Sequence, residues 1–160
     1  MRTGEDHEVG ADVLRFVEEV AITLEGLGLI RMAGRAVGWL LICDPREQTF
    51  TEIAEALQAS RGTVSSALKS LVAAGWVERR RAEGERSDRF GLRPGRWVEL
   101  SRAQNAHCAT MTVLAAQGLE LLADAPPRRL DRLREMRDFH LWLDRELPGL
   151  WERWAAERNS

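Results

Sequence analysis

Residues 51 to 71 constrain the fold of this chain more than any other part of its sequence. They contain two short apolar patterns with helical spacing, separated by only Gln58, Ala59 and Ser60. A connection this short turns the second helix sharply across the first. The pattern predicts a helix-turn-helix, with Thr51 and Ser60 as the N-caps of its two helices.

The second helix of this motif presents a slim polar face. When its apolar residues point inward with the 3.6-residue period, the opposite face carries small or hydroxylic side chains and one cation. Such a face fits a major groove about 12 Å wide and can donate to base edges and phosphates. The alternative is a plain helical hairpin with incidental surface serines and threonines. The predicted DNA contacts are Ser60, Arg61, Thr63, Ser65, Ser66, Lys69 and Ser70.

A β-hairpin with a charged tip is predicted directly after the motif. Residues 76–80 and 89–93 are short strand candidates, joined by a polar segment that contains Gly84. An arginine at a wing tip can enter the narrow, electronegative minor groove, and we select Arg86 and Arg89 for that role. The alternative for any single wing arginine is a solvated ion pair with Glu83, Glu85 or Asp88. Arg80 and Arg81 can instead contact phosphates.

The charge distribution favours a nucleic-acid contact at the centre of the chain. The 160 residues have a net charge of -2, but residues 61–102 hold ten basic and five acidic side chains. Residues 1–60 hold five basic and eleven acidic side chains. Because phosphate contacts supply most non-specific affinity for DNA, the local excess matters more than the sum. It argues against the alternative function, a winged-helix module for protein contacts without sequence-specific DNA binding.

The rest of the sequence predicts helices. Apolar spacing indicates helices over 8–27, 31–42 and 98–123, and a last helix from about Arg129 that Pro148 ends or kinks. An apolar seam along the last helix requires a partner helix, from the same chain or from a second copy. The seam comprises Leu133, Met136, His140, Leu143, Leu147, Leu150 and Trp154.

The predicted fold class is mainly α with a small β-hairpin wing, a winged helix-turn-helix with a helical dimerisation domain. We assign residues 1–30 to an N-terminal dimerisation helix, 31–96 to the DNA-binding domain and 97–160 to C-terminal dimerisation helices. Apolar residues of the first and fifth helices can border a cavity between these parts, suited to a small apolar effector. They are Phe16, Val20, Met111 and Leu114.

Sequence features of other protein classes are missing. No histidine, cysteine and carboxylate cluster has metal spacing, no nucleophile motif occurs, and Cys43 and Cys108 form no CxxC pair. No apolar run approaches the roughly 20 residues that cross a bilayer, and the N-terminus lacks a secretory pattern. We therefore expect a cytoplasmic protein with buried thiols, no catalytic activity, no metal or cofactor, and no membrane partner.

Four stretches of the sequence, together with the helix-turn-helix, carry a family resemblance. Residues 29–45 (LIRMAGRAVGWLLICDP), followed by the helix-turn-helix, resemble the MarR superfamily of winged-helix regulators, within it the GbsR-like branch. Residues 92–94, 124–127 and 133–138 are more similar still to mycobacterial MarR-type repressors of lipid and drug efflux systems. The similarity extends from about Phe16 to Asp138.

This resemblance implies a homodimer that binds an inverted repeat in promoters, commonly beside its own gene or a transporter gene. It also implies a pocket in which a hydrophobic or lipid-like effector binds and releases the DNA. The exposed positions of residues 61–69 and the wing tip depart from those relatives, so the operator need not be shared. The stretch 106–114 diverges most, which leaves the effector open.

Overall fold

The computed structural model describes residues 10–81, 84 and 86–159, and the chain divides into two compact units, Met1–Pro94 and Gly95–Ser160. The helices of the first unit are α1 (Ala11–Glu25), α2 (Arg31–Leu40), α3 (Phe50–Ala56) and α4 (Arg61–Ala73). Its strands are β1 (Gln48–Thr49), β2 (Val77–Arg80) and β3 (Arg89–Leu92). The second unit consists of α5 (Arg96–Asn105), α6 (His107–Leu121) and α7 (Pro127–Arg158).

Two glycines of α2 let it pack directly against the backbone of α1. A Cβ atom on Gly34 would lie 2.8 Å from the Cα of Ala21, and one on Gly38 would lie 3.1 Å from the Cα of Val17. Val17 and Ala21 are fully buried. A larger side chain at Gly34 would push the helices apart, so α1 and α2 form one tightly packed pair.

The predicted hairpin is present and belongs to a three-stranded antiparallel sheet in the order β1-β3-β2. Val77 pairs with Leu92 in the hairpin, and Gln48 of β1 pairs with Phe90 on the other edge of β3. The sequence did not predict β1, because two residues are too few to show an alternating pattern. With α3 and α4, this sheet completes a winged helix-turn-helix.

The cap of α3 differs from the prediction. Thr51 was expected to be the N-cap, but the helix begins after Thr49. The Thr49 hydroxyl accepts the Glu52 amide at 3.3 Å, and the Thr49 amide donates to Oε2 of Glu52 at 2.6 Å. This reciprocal capping box fixes two backbone N–H groups, whereas Thr51 lies exposed in the first turn. The inward face of α3 consists of Ile53, Ala54 and Leu57, which are all buried.

The helix predicted over 98–123 is interrupted at Ala106, between α5 and α6. The side-chain amide of Asn105 donates to the Ser101 carbonyl at 2.8 Å and so competes for a backbone acceptor. The Ala106 amide is shared between the carbonyls of Arg102 and Ala103, at 3.0 and 3.3 Å. Such shared bonds are typical of a helix terminus, and they explain the break.

The last helix starts earlier and runs further than predicted. It begins at Pro127, since proline is favoured in the first turn, and it continues through Pro148 to Arg158. Pro148 is exposed, so water can replace the missing partner of the Asp144 carbonyl.

The apolar seam of α7 is covered only in part. Leu133 packs against α6, where a Cβ on Gly118 would lie 3.0 Å from it. Further along the seam, Leu150 and Trp154 are 45% and 48% exposed. None of the helices built from the described residues combines the length and the apolar character that a bilayer crossing requires.

Candidate nucleic-acid interface

The turn between α3 and α4 positions the second helix of the motif. Gln58 follows the C-cap residue Leu57 and adopts a left-handed conformation with φ of 50°. The Ala59 amide then donates back to the Ala54 carbonyl at 3.1 Å, which closes the end of α3. Ser60 caps α4, as predicted, by accepting the Thr63 amide at 3.3 Å. The start of α4 is thus held on both sides of the turn.

The two faces of α4 are as different as its sequence predicted. Val64, Leu68 and Leu71 are 0 to 1% exposed and pack into the core of the first unit. The opposite face is open to solvent, and a Cβ atom on Gly62 would meet nothing within 4 Å. This face can therefore approach a base-pair edge without disturbing the core. Its exposed residues are Arg61, Gly62, Thr63, Ser66, Lys69, Ser70 and Ala73.

Three of the predicted contact residues form local hydrogen bonds through their hydroxyl groups, and a fourth is partly buried. Ser65 is half-buried, so it lies at the border of the exposed face. The Ser70 hydroxyl donates its proton to the Ala67 carbonyl at 2.8 Å. The hydroxyl oxygen of Ser70 can still accept a hydrogen bond from DNA, but the hydroxyl group cannot donate one while this bond is kept. Ser60 and Thr63 share a hydroxyl hydrogen bond of 2.7 Å at the N-terminus of the helix.

A groove of about 570 Å³ separates α4 from the wing. One wall is the helix, which contributes Ser65 and Lys69, and the apolar floor includes Phe90. The other wall is basic and contains arginines of β2 and of the wing tip. Because the groove joins the polar face of α4 to the wing, both elements present one continuous surface. The arginines that line it are Arg79, Arg81 and Arg86.

Asp88 organises the basic wall of this groove. Its carboxylate accepts Nε of Arg79 at 2.6 Å and Nε of Arg81 at 2.8 Å. The hydrogen bond from Arg79, and with it the bond from Arg81 and their charges, holds the pKa of Asp88 below its usual value. The side chain of Asp88 is only 15% exposed, so the carboxylate lies beneath its two arginines.

The neighbouring Arg80 faces the other side of the sheet. It forms ion pairs with Glu78 and, at 3.1 Å, with Glu47. The hydrogen bond to Glu78 raises the pKa of Arg80 above its usual value, and the charges of Glu78 and Glu47 add to this. Arg80 therefore stays protonated, and its charge is balanced by the two carboxylates on its own side of the sheet. Arg79 and Arg81, one position before and after it, point to the groove side.

The two wing arginines selected from the sequence lie in different surroundings. Arg86 is exposed and lines the groove. Arg89 is half-buried, and its Nη1 lies 3.4 Å from the Glu47 carbonyl. Glu83 and Glu85, the proposed alternative partners, lie outside the described residues. The selection missed Arg79, which also lines the groove. Arg79 lies in β2 and Arg81 directly after it, and their two-residue spacing was the available signal that both point to the same side.

The residues predicted to contact an effector lie in both units. Phe16 and Val20 are on α1, where Phe16 is 40% exposed. Met111 and Leu114 are on α6, where Leu114 is 51% exposed. Cys43 and Cys108 are buried free thiols, as expected, and burial raises the pKa of the Cys43 thiol.

Comparison with known proteins identifies relatives along nearly the whole chain. Residues 27–86 match the MarR family, and residues 95–157 match the MmpR5-like MarR family transcriptional regulators. The HTH-type transcriptional regulator MmpR5 of Mycobacterium tuberculosis is 41% identical over 149 residues, which cover 93% of this chain and 90% of that protein. A crystal structure of a transcriptional regulator superposes with a TM-score of 0.64 at 39% identity, covering 91% of this chain and 99% of the other.

Proposed function

Because this chain belongs to the MarR family of DNA-binding transcriptional regulators, we propose that it is a homodimeric repressor of an inverted-repeat operator. The observation that carries this proposal is the exposed, hydroxylic face of α4 beside a basic wing. Lys69 of α4 lines one groove together with Arg79, Arg81 and Arg86 of the wing. All four side chains are exposed, so none of them is part of the core of the first unit. The family is one of regulators, and we propose no catalytic role for the chain.

In the proposed complex, α4 enters the major groove. Its small exposed residues let the helix approach the base edges, where Thr63, Ser66 and Lys69 donate hydrogen bonds. Arg61 lies in the first turn, where a long cation reaches either a guanine edge or a phosphate. Arg86 extends from the wing tip toward the adjacent minor groove, whose negative potential attracts arginine.

The open seam of α7 supports assembly into a dimer. Apolar side chains of this size are seldom left exposed along one line of a helix unless another helix covers them. A two-fold dimer places the two α4 helices about one DNA turn, roughly 34 Å, apart. The operator then consists of two half-sites with matching symmetry. The assignment of residues 1–30 and 97–160 to dimerisation is part of this proposal.

We also propose that an apolar, lipid-like effector releases the DNA by favouring a different spacing of the two α4 helices. The effector must bind the two spacings with different affinity, since equal affinity shifts no equilibrium. Phe16, Val20, Met111 and Leu114 are the proposed contacts. From the sequence resemblance, we further propose that the chain belongs to the GbsR-like branch, that it controls an efflux transporter gene, and that it is located in the cytoplasm.

Fluorescence polarisation with duplex DNA tests the central claim. At low salt, the wild-type chain should bind a random 30-bp duplex, with an affinity that falls steeply as salt rises. It should bind a duplex selected from a random library more tightly, by a factor of about 10³ or more. A chain that bound no duplex at low salt would instead fit the protein-contact module. Release of the selected duplex by a medium-chain fatty acid tests the effector claim.

A further inference from the structure

Arg35 of α2 reaches the turn that precedes α4. Its Nη2 donates to the carbonyl of Leu57 at 2.8 Å, although the two residues are 22 positions apart in sequence. The side chain of Arg35 is only 21% exposed, so this is a largely buried contact of a charged group. A hydrogen bond from a charged donor to a buried carbonyl is among the stronger polar contacts in a protein.

The Leu57 carbonyl is among the acceptors that the end of α3 leaves without a backbone partner. Within the turn, Ala59 donates to Ala54 and Gln58 donates to Glu55 at 3.0 Å, and no described backbone amide donates to Leu57. Leu57 itself is fully buried, so its carbonyl needs a partner from elsewhere in the fold. Arg35 supplies that partner, and its positive charge also suits the negative end of the α3 dipole.

The other side of the Arg35 guanidinium faces α1. Its Nε lies 3.4 Å from Oε2 of Glu18, close enough for an ion pair but without hydrogen-bond geometry. Both atoms are buried, and neither has a hydrogen-bond partner among the described residues. Since Gly34 and Gly38 hold α1 and α2 together, Glu18 and Arg35 belong to one tightly packed pair of helices.

We infer that Arg35 is a positioning residue for DNA recognition, through which the pair of α1 and α2 sets the direction of α4. Leu57 is followed by only Gln58 and Ala59 before the N-cap Ser60. Fixing the Leu57 carbonyl therefore fixes the start of the helix that carries the proposed base contacts. This inference rests on the proposed function, because it concerns how the same helix is aimed at the operator.

Matched variants separate this role from a general effect of charge or stability. Arg35→Gln removes the bond to Leu57, whereas Arg31→Gln removes an equal charge from the same helix. Arg31 pairs with Glu18 and Glu25, at 3.8 and 2.8 Å, and among the described residues it has no hydrogen bond or ion pair with the turn. Arg35→Lys keeps the charge and can still donate one hydrogen bond to the Leu57 carbonyl.

Polarisation with the selected and the random duplex provides the first measurement. Arg35→Gln should lower affinity for the selected duplex about tenfold and change affinity for the random duplex by less than about twofold, because phosphate contacts depend little on how α4 is aimed. Arg35→Lys should recover part of the loss, and Arg31→Gln should match the wild type on both duplexes. Equal losses on both duplexes, or a wild-type result for Arg35→Gln, would overturn the inference.

Hydrogen exchange of the free protein provides the second measurement. Arg35→Gln should speed exchange of the amides of residues 58–63 and leave those of α1 and α2 at wild-type rates. A uniform increase over the first unit would show a merely structural role and overturn the inference. If Arg35→Gln does not fold, Arg35→Lys is measured in both experiments. A loss confined to the selected duplex, with faster exchange confined to residues 58–63, would support the inference, and equal losses on both duplexes or a uniform increase in exchange would overturn it. If the wild-type chain selects no duplex, the proposed function fails, and exchange alone decides whether Arg35 orders the turn.

Discussion

Nε of Arg81 donates a hydrogen bond to Oδ1 of Asp88 at 2.8 Å, and this pair joins the two strands at the base of the wing tip. Arg79 donates to the second oxygen of the same carboxylate. A carboxylate that accepts from two arginines occupies the place that a DNA phosphate takes in a complex. Asp88 holds both arginines on the groove side of the wing, and we therefore expect it to compete with DNA phosphates for them.

Asp88→Asn should raise affinity for a random duplex by roughly threefold at low salt and steepen the salt dependence, because two cations become available to phosphates. Polarisation at several salt concentrations measures both quantities. Asp12→Asn is the matched control, since it removes the same charge from an exposed pair with Arg15 on α1. Weaker binding by Asp88→Asn would show that orientation of the arginines outweighs their release.

The wing arginines selected from the sequence give a second prediction. Arg86→Ala combined with Arg89→Ala should weaken binding of the selected duplex by about tenfold or more, because minor-groove and phosphate contacts are lost together. Arg86→Ala alone should account for most of this loss, since Arg89 is half-buried against the Glu47 carbonyl. Arg15→Ala combined with Arg145→Ala, both on exposed helix surfaces, removes the same charge elsewhere. Full binding by the Arg86 and Arg89 double variant would remove the wing from the proposed complex.

Substitutions at Gly62 can test the DNA-binding role of α4 without disturbing its fold. A side chain there meets open space, so Gly62→Glu should fold normally, with a melting temperature close to that of the wild type. The added carboxylate would face phosphates and base edges, and affinity for any duplex should fall at least tenfold. Gly62→Ala is the control: it should raise the free energy of unfolding by about 0.5 kcal/mol and keep DNA binding. Normal DNA binding by Gly62→Glu would mean that this face of α4 does not touch DNA.

The capping box of α3 gives a prediction about stability. Thr49→Ala removes the acceptor of the Glu52 amide and should lower the free energy of unfolding by about 1 kcal/mol. Thr51→Ala, at the position that the sequence pattern favoured, should change it by less than about 0.5 kcal/mol, because Thr51 is exposed within the first turn. Urea denaturation of both variants measures the difference. A larger effect of Thr51→Ala would restore Thr51 as the cap.

This cap shows what single-sequence reasoning resolves in the first unit and what it does not. The apolar period fixed the existence and the inward faces of α3 and α4, since Val64, Leu68 and Leu71 have no other way to be buried. The position of the cap depends on which of two threonines meets Glu52, and both Thr49 and Thr51 suit the residue preference. The capping-box spacing from Thr49 to Glu52 was the available signal.

The less predictable features depend on contacts that are distant in sequence. Arg79 and Arg80 look equivalent in the sequence, but strand alternation turns Arg79 to Asp88 and Arg80 to Glu47. The interruption at Ala106 depends on one side-chain hydrogen bond from Asn105. The spacing of apolar residues continues across this point, so the sequence pattern alone does not reveal the break. The family resemblance implied a homodimer and an effector pocket, but it carried no information on these pairings.

The seam of α7 supports the last prediction, which concerns assembly. Leu143 lies on the seam and is half-buried in the single chain, so Leu143→Glu would place a charge where the proposed partner helix packs. We expect this variant to remain folded, to sediment as a monomer, and to lose most of its affinity for the selected duplex, because one α4 helix contacts only one half-site. Its affinity for the random duplex should fall less.

Arg145→Glu is the matched control, because Arg145 is two residues away, exposed, and off the seam. It changes the charge of the helix more than Leu143→Glu does, yet it should leave the sedimentation coefficient at the wild-type value. Sedimentation velocity at several concentrations measures both variants. If Leu143→Glu assembled like the wild type, the seam would be covered from within the chain, and the proposed pairing of half-sites would need a different interface.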